Sequence, residues 1–290
     1  MGIKREGVYK HYHKNGKLWI EANYKNDKLE GITKEYYING NLWIEEYFKN
    51  DKKEGACKKY YISGVLDEEN TYKNGKRHGA CKYFYKNGNL WIEEYFKNGK
   101  TEGACKHYYI TGELEKESNY KNDELEGVYK EYYKTGELKK EVNYKNDKKE
   151  GLENWFYKTG ELEKEVNYKN GKREGACKQY YCKNGKLWCE ANYKDGNRIN
   201  IYKEYYETGE LKEEANYKNG ELEGVYKEYY EDGNLEIEAN YKNGKLEGVY
   251  KEYYENGELK KEVNYKNGKL ETKNYLIYIW KYIYGKLKDI

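Results

Sequence analysis

The chain of 290 residues contains no proline, one methionine, four phenylalanines and only two serines, Ser63 and Ser118. The missing proline fits a chain that is nearly all sheet ladder, because proline cannot donate to a neighbouring strand. Leucine, isoleucine, valine and phenylalanine are too sparse to fill a thick core. No apolar run approaches the ~20 residues of a membrane-spanning helix. Neither serine sits in a nucleophile elbow, so serine-nucleophile chemistry is not expected. The opening MGIKREG shows no signal-peptide pattern and runs straight into the first repeat. Position 6 is Glu6, so the N-myristoylation pattern after Gly2 fails. A cytoplasmic location is the default expectation, and export stays open.

Charge of one sign is also lacking. The 55 basic and 52 acidic residues interleave to a net +3. A nucleic-acid binder usually shows a clustered basic excess, so no nucleic-acid partner is expected. A charged fraction of 37 % would alone suggest disorder, but 40 tyrosines argue for a folded, thin structure.

What is present is repetition. GVYKEYYENGELKKEVNYKNGKLE, residues 248–271, is the last complete copy of a 24-residue phrase. Copies begin at Gly7, Gly31, Gly55, Gly79, Gly103, Gly127, Gly151, Gly175, Asn200, Gly224 and Gly248. One step is 25 residues, and its extra residue falls in YYCKNG, beside a turn. Residues 1–6 are a lead-in, 7–271 hold eleven repeats, and 272–290 hold a degenerate copy and a cap. Within the phrase the tenth residue is always Gly, the twelfth Leu, the fifteenth Glu and the nineteenth Lys.

Each phrase reads as strand, turn, strand, turn. VYKEYY and ELKKEVNYK are strands, and ENG and NGK or NDK are turns. Folding about Asn-Gly sets the fourth residue against the fifteenth, as Lys130 with Glu141 and Lys251 with Glu262. Such cross-strand pairs contribute roughly 0.2–1 kcal/mol each. Asn200 is the least costly non-glycine choice if the opening position needs a left-handed backbone. The expected fold is therefore all-β, an elongated single-layer antiparallel sheet of tandem 24-residue hairpins, ~100 Å long, closed by a C-terminal capping segment. Period two gives a packed face with Tyr250, Tyr254, Leu259, Val263 and Tyr265 in the last copy. The opposite, polar face carries the Lys–Glu pair, the sixth-position aromatic and, in some copies, tryptophan. The cap, YLIYIWKYIYGKLKDI, has both a helical stripe and strand-forming residues, so helix and strand both stand.

The phrase resembles the bacterial variant of the MORN repeat, G-x-x-x-x-Y-Y-x-x-G-x-L-x-x-E-x-x-Y-x-x-G-x-x-x-G. The resemblance covers residues 7–271. It implies β-hairpins laid side by side and a scaffold or binding role. It also implies associations found among such arrays: antitoxin labels in bacteria, lipid or membrane recruitment, and dimerisation. Departures stand at Asn200 and Thr272, and at Asp27, Asp51, Asp123 and Asp147 in place of a turn glycine. MORN arrays also accompany plant lipid-kinase domains, but this chain carries no kinase phosphate loop and no HRD-like or DFG-like triplet.

Cys57, Cys81, Cys105 and Cys177 share the third repeat position. Adjacent copies stand about 9.6 Å apart, beyond disulfide or zinc reach, so these read as small packed residues. Cys182 and Cys189 share one hairpin, where a disulfide is an alternative. His11 and His13 point to one face, but no further metal ligand is evident. The regular carboxylates face lysines, an arrangement that suits a solvated ladder better than acid catalysis.

The informative irregularity is tryptophan. Trp19, Trp43, Trp91 and Trp188 occupy the thirteenth position, with Tyr12 and Tyr36 nearby in the first two hairpins. Two readings stand. They pack locally against tyrosine rings, or they anchor a partner. The function expected is non-enzymatic binding of a protein partner along the aromatic-bearing sheet, antitoxin-like or host-directed, without metal or cofactor. The alternatives are a lipid or membrane surface, and self-association through the open sheet edge.

Overall fold

The computed structural model describes residues 4–271, so the expected cap at 272–290 lies outside the described residues. Two compact units divide the chain, Met1–Lys148 and Lys149–Ile290. Among the described residues every regular element is a strand, and none is a helix.

In the first unit the Gly7 hairpin sets the tone. Gly7–Tyr12 runs out and Leu18–Lys25 returns. Lys10 faces Glu21, as the charge pairing predicts. Glu21 then also faces Lys34 of the next hairpin. The same double pairing recurs at Glu45, between Lys34 and Lys58, and at Glu69, between Lys58 and Lys82. The invariant glutamate is thus shared by two hairpins, so every copy needs it. The second unit follows the same scheme, with Glu190 between Lys178 and Lys203. Each unit is one antiparallel layer.

The two turns differ. At the first, the seventh residue's N–H donates to the eleventh carbonyl, and the tenth glycine's N–H donates back to the seventh, as His13 to Lys17 and Gly16 to His13. This is a three-residue loop whose glycine is left-handed. The extra residue of the Gly175 copy enlarges this loop, with Tyr181 donating to Lys186. The second turn has two left-handed residues, such as Asn26 (φ 51°) and Asp27 (φ 67°), the type I′ geometry that matches strand twist. Aspartate keeps this geometry and gains a role. The carboxylate of Asp51 accepts the N–H of Leu29 in the preceding hairpin at 2.7 Å, and Asp123 and Asp147 do the same for Thr101 and Leu125. Asn200 sits at φ 57°, so the left-handed opening read from the sequence is what the chain adopts.

One irregularity corrects the sequence reading. A three-residue loop would shift the whole hairpin by one residue. A β-bulge restores the register: Tyr12 faces Leu18 and His11 faces Ile20, which leaves Trp19 as the extra residue. The same shift recurs in the other hairpins, for example at Glu35/Tyr36 and at Gln179/Tyr180. Alternation therefore fails at the thirteenth position. Its side chain returns to the packed face, where Lys212 meets Glu204 at 2.8 Å and Asp67 meets Lys59 at 3.3 Å. Tryptophan, expected on the polar face, stands on the packed one. The invariant leucine moves the other way. It pairs with the sixth position, whose hydroxyls reach the charged ladder, as Tyr132 to Glu117 at 2.7 Å.

The packed face is thin. Its buried residues stand mostly at the third and sixteenth positions of the phrase, among them Cys57, Cys81, Cys105, Val142, Val166, Cys177, Ala215 and Ala239. All six cysteines are free thiols, with Cys182 exposed in its turn. The Sγ of Cys189 contacts Gln179 instead of Cys182.

Candidate interaction surface

The seventh position carries tyrosine in ten copies and His13 in the first. Its ring stays on its own hairpin while its polar tip reaches the next. Tyr37 donates to the carbonyl of Tyr60 at 2.8 Å, Tyr61 to Phe84 at 2.7 Å, and Tyr85 to Tyr108 at 2.8 Å. His13 imitates this with Nε2 at 3.0 Å from the carbonyl of Tyr36. Burial first, and nearby carboxylates second, push the phenols of Tyr85 and Tyr109 above the usual range, which keeps them protonated donors.

Beside this row lies the thirteenth position. The ring centroids of Tyr37 and Trp43 are 5.7 Å apart, those of Tyr85 and Trp91 5.8 Å, and those of Tyr181 and Trp188 6.2 Å. His13 and Trp19 stand at 6.0 Å. The planes meet at 36–46°, so each pair forms an open wedge. In three of the copies without tryptophan a lysine stands over the ring, as Lys139 over Tyr133, Lys212 over Tyr206 and Lys260 over Tyr254.

A family profile described as "MORN repeat variant" matches eleven consecutive segments: 5–26, 29–50, 53–74, 77–98, 101–122, 125–146, 149–170, 173–195, 199–219, 222–243 and 246–267. The chain belongs to the MORN-repeat family. MORN membership makes it a repeat scaffold, the class that the phrase resembled. Among curated proteins none matches. Among solved structures, the crystal structure of TcdB2-TccC3-Cdc42 is similar at 12 % identity, over 87 % of this chain and 16 % of that one, with a TM-score of 0.20. The crystal structure of TcdB2-TccC3 is similar at 12 % identity, over 90 % and 18 %, with a TM-score of 0.21. This MORN chain spans less than a fifth of the length of those chains.

The MORN wedges are braced yet open. Trp19 is 47 % exposed, Trp91 43 % and Trp188 40 %, while Trp43 is half-buried. Local packing describes one side of each indole, which rests on a ring, and the other side meets solvent. Tyr12 and Tyr36 do not join them, because the sixth position lies on the charged face. Their places beside tryptophan are taken by His13 and Tyr37, which the sequence reading missed. The signal was the near-invariant seventh-position aromatic. His11 is not brought to a metal set, and among the described residues no group of three His, Cys, Asp or Glu could hold a metal ion.

The second-turn margin of the MORN hairpins is electrostatically distinct. The invariant nineteenth-position lysines, from Lys25 to Lys266, make no ion pair among the described residues. In the first four hairpins each faces another lysine directly, Lys25 with Lys28, Lys49 with Lys52, Lys73 with Lys76 and Lys97 with Lys100. Acidic neighbours there are engaged by backbone N–H groups, as Glu30 by Asn50 at 2.9 Å.

Proposed function

We propose that this protein is a binding scaffold whose contact surface is the row of aromatic wedges on the first four hairpins, and that its partner is a protein. The observation that supports this is the bracing of Trp19, Trp43 and Trp91. Each is held on a neighbouring ring, with Trp19 and Trp91 largely open to solvent and Trp43 half-buried. A pre-ordered aromatic loses little conformational entropy on contact, which is why Trp and Tyr dominate interface hot spots. The scaffold acts without chemistry of its own in this reading. The experiment is affinity capture at low salt with the natural chain and with Trp19, Trp43 and Trp91 all changed to lysine. Lysine already occupies this position at Lys139, Lys212 and Lys260, so the variant keeps its fold. Loss of the captured protein is the expected result, and equal recovery overturns the reading.

A second reading, attachment to an anionic lipid surface, is favoured by the unpaired lysine margin. Opposed like charges weaken a ladder, so their retention needs a reason outside the fold. Sedimentation with phosphatidylserine vesicles, weakened by salt and by Lys25, Lys28, Lys49 and Lys52 changed to Gln, would support it.

A further inference from the structure

We propose that the aromatic wedges of the first four hairpins take a polyproline-II segment with a proline at every third residue. This rests on the aromatic row being the contact surface, and it names what that row recognises. Adjacent hairpins stand two strand spacings apart, about 9.6 Å. A polyproline-II helix rises about 3.1 Å per residue with three residues per turn, or about 9.3 Å per turn. One hairpin per turn keeps register to within about 1 Å across four hairpins, of which the first, second and fourth carry wedges.

The chemistry fits the pitch. A pyrrolidine ring packs on the solvent side of the indole, at the mouth of the wedge, and polyproline-II ligands dock on aromatic-lined surfaces of this kind. The indole N–H groups of Trp19, Trp43 and Trp91 have no acceptor among the described residues, which leaves them to meet the ligand's outward carbonyls. The segment has no internal hydrogen bonds, so those carbonyls are available. These 290 residues hold no proline, so such a ligand lies outside them.

The third hairpin breaks the row and supplies direction. Asp67 replaces tryptophan there. Asp67 and Glu68 share the single ammonium of Lys59, at 3.3 and 3.1 Å, so the rung carries a surplus negative charge beside the Tyr61 ring. A cation suits that rung. The preferred ligand is therefore Pro-x-x-Pro-x-x-Lys-x-x-Pro, with arginine equivalent to lysine, its first proline on the first hairpin and its last on the fourth.

The test is fluorescence titration of the full chain with the peptide Pro-Pro-Ala-Pro-Pro-Ala-Lys-Pro-Ala-Pro-Pro-Ala. The expected results are saturable binding, at least about tenfold weaker affinity for Trp43→Lys, and unchanged affinity for Trp188→Lys. Asp67→Lys should weaken this peptide but not its Lys-to-Pro relative. A version with every proline changed to alanine should bind at least about tenfold more weakly. No binding at millimolar peptide overturns the proposal. If the triple tryptophan variant still loses its captured protein, the scaffold reading survives that failure. Binding of a β-1,4-linked glucose hexamer in place of the peptide would overturn it in favour of a carbohydrate.

Discussion

The hydroxyl of Tyr61 donates to the carbonyl of Phe84, 2.7 Å away and in the next hairpin. The contact joins neighbours through a side chain, independently of the backbone ladder. In a repeat array stability is close to a sum of unit and nearest-neighbour terms, so a contact repeated in copy after copy counts many times. Removing one hydrogen bond costs about 0.5–1.5 kcal/mol. Tyr61→Phe, Tyr85→Phe and Tyr109→Phe together should lower stability by about 2–4 kcal/mol in urea unfolding. Tyr12→Phe, at an exposed phenol, should change it by less than about 0.5 kcal/mol. Equal effects from both would mean that the hydroxyl contacts contribute nothing.

A second tie between hairpins is broken in two places, and the breaks can be mended. In nine copies a glutamate just before the opening residue accepts the N–H at the next hairpin's second turn, as Glu223 from Asn243 at 2.8 Å. Ile199 and His78 stand where that glutamate belongs. Ile199→Glu should supply an acceptor for the N–H of Asn219 and raise stability by about 0.5–1.5 kcal/mol. Slower amide exchange at Asn219 is the local readout. An unchanged exchange rate would show that the carboxylate does not reach.

Much of the hairpin geometry was legible in the sequence, for a definite reason. Lys130 and Glu141 could be paired, and Asn200 given a left-handed backbone, because charge matching and glycine replacement are local signals. The face of Trp43 was not legible. Its position depends on two compensating irregularities, a three-residue loop and a bulge, which cancel in the register and so leave no trace in the charge pairing. The Tyr37–Tyr60 contact links residues 23 apart in the chain, and only the spacing of folded hairpins brings them together. Asn200 offers a direct check on the local signals. Asn200→Gly should be nearly neutral, and Asn200→Ala should cost about 1–2 kcal/mol.

Thiol reactivity should separate the six cysteines. Cys182 is exposed in the enlarged turn. Burial pushes the thiols of Cys57, Cys81 and Cys177 up, and those of Cys105 and Cys189 up to about 11. A thiol that is both covered and protonated reacts slowly. One thiol per chain should react quickly with a thiol-disulfide reagent at pH 7.5, and Cys182→Ser should abolish that phase. The remainder should react only as the chain unfolds. Two fast thiols would place Cys189 in solvent.

His107 gives the fold a pH dependence whose sign can be worked out. Burial first, and the facing Lys116 second, lower its pKa from 6.5 to about 4. The imidazole is therefore neutral in the folded chain at pH 7, packed between Lys116 and Ile92. Between pH 6.5 and pH 4 the unfolded chain binds a proton that the folded chain does not. Its contribution is complete above pH 6.5, falls as the pH drops through that window, and is flat below it. Discounted for partial exposure, the loss is about 1 kcal/mol. Carboxylates titrate in the same range, so the comparison must be with His107→Gln, a residue already present as Gln179 at the same repeat position. The natural chain should lose about 1 kcal/mol more than the variant between pH 7 and pH 4 in urea unfolding. Parallel pH curves would show that the ring takes up its proton in place, and that the packed face at this hairpin is wetter than its geometry indicates.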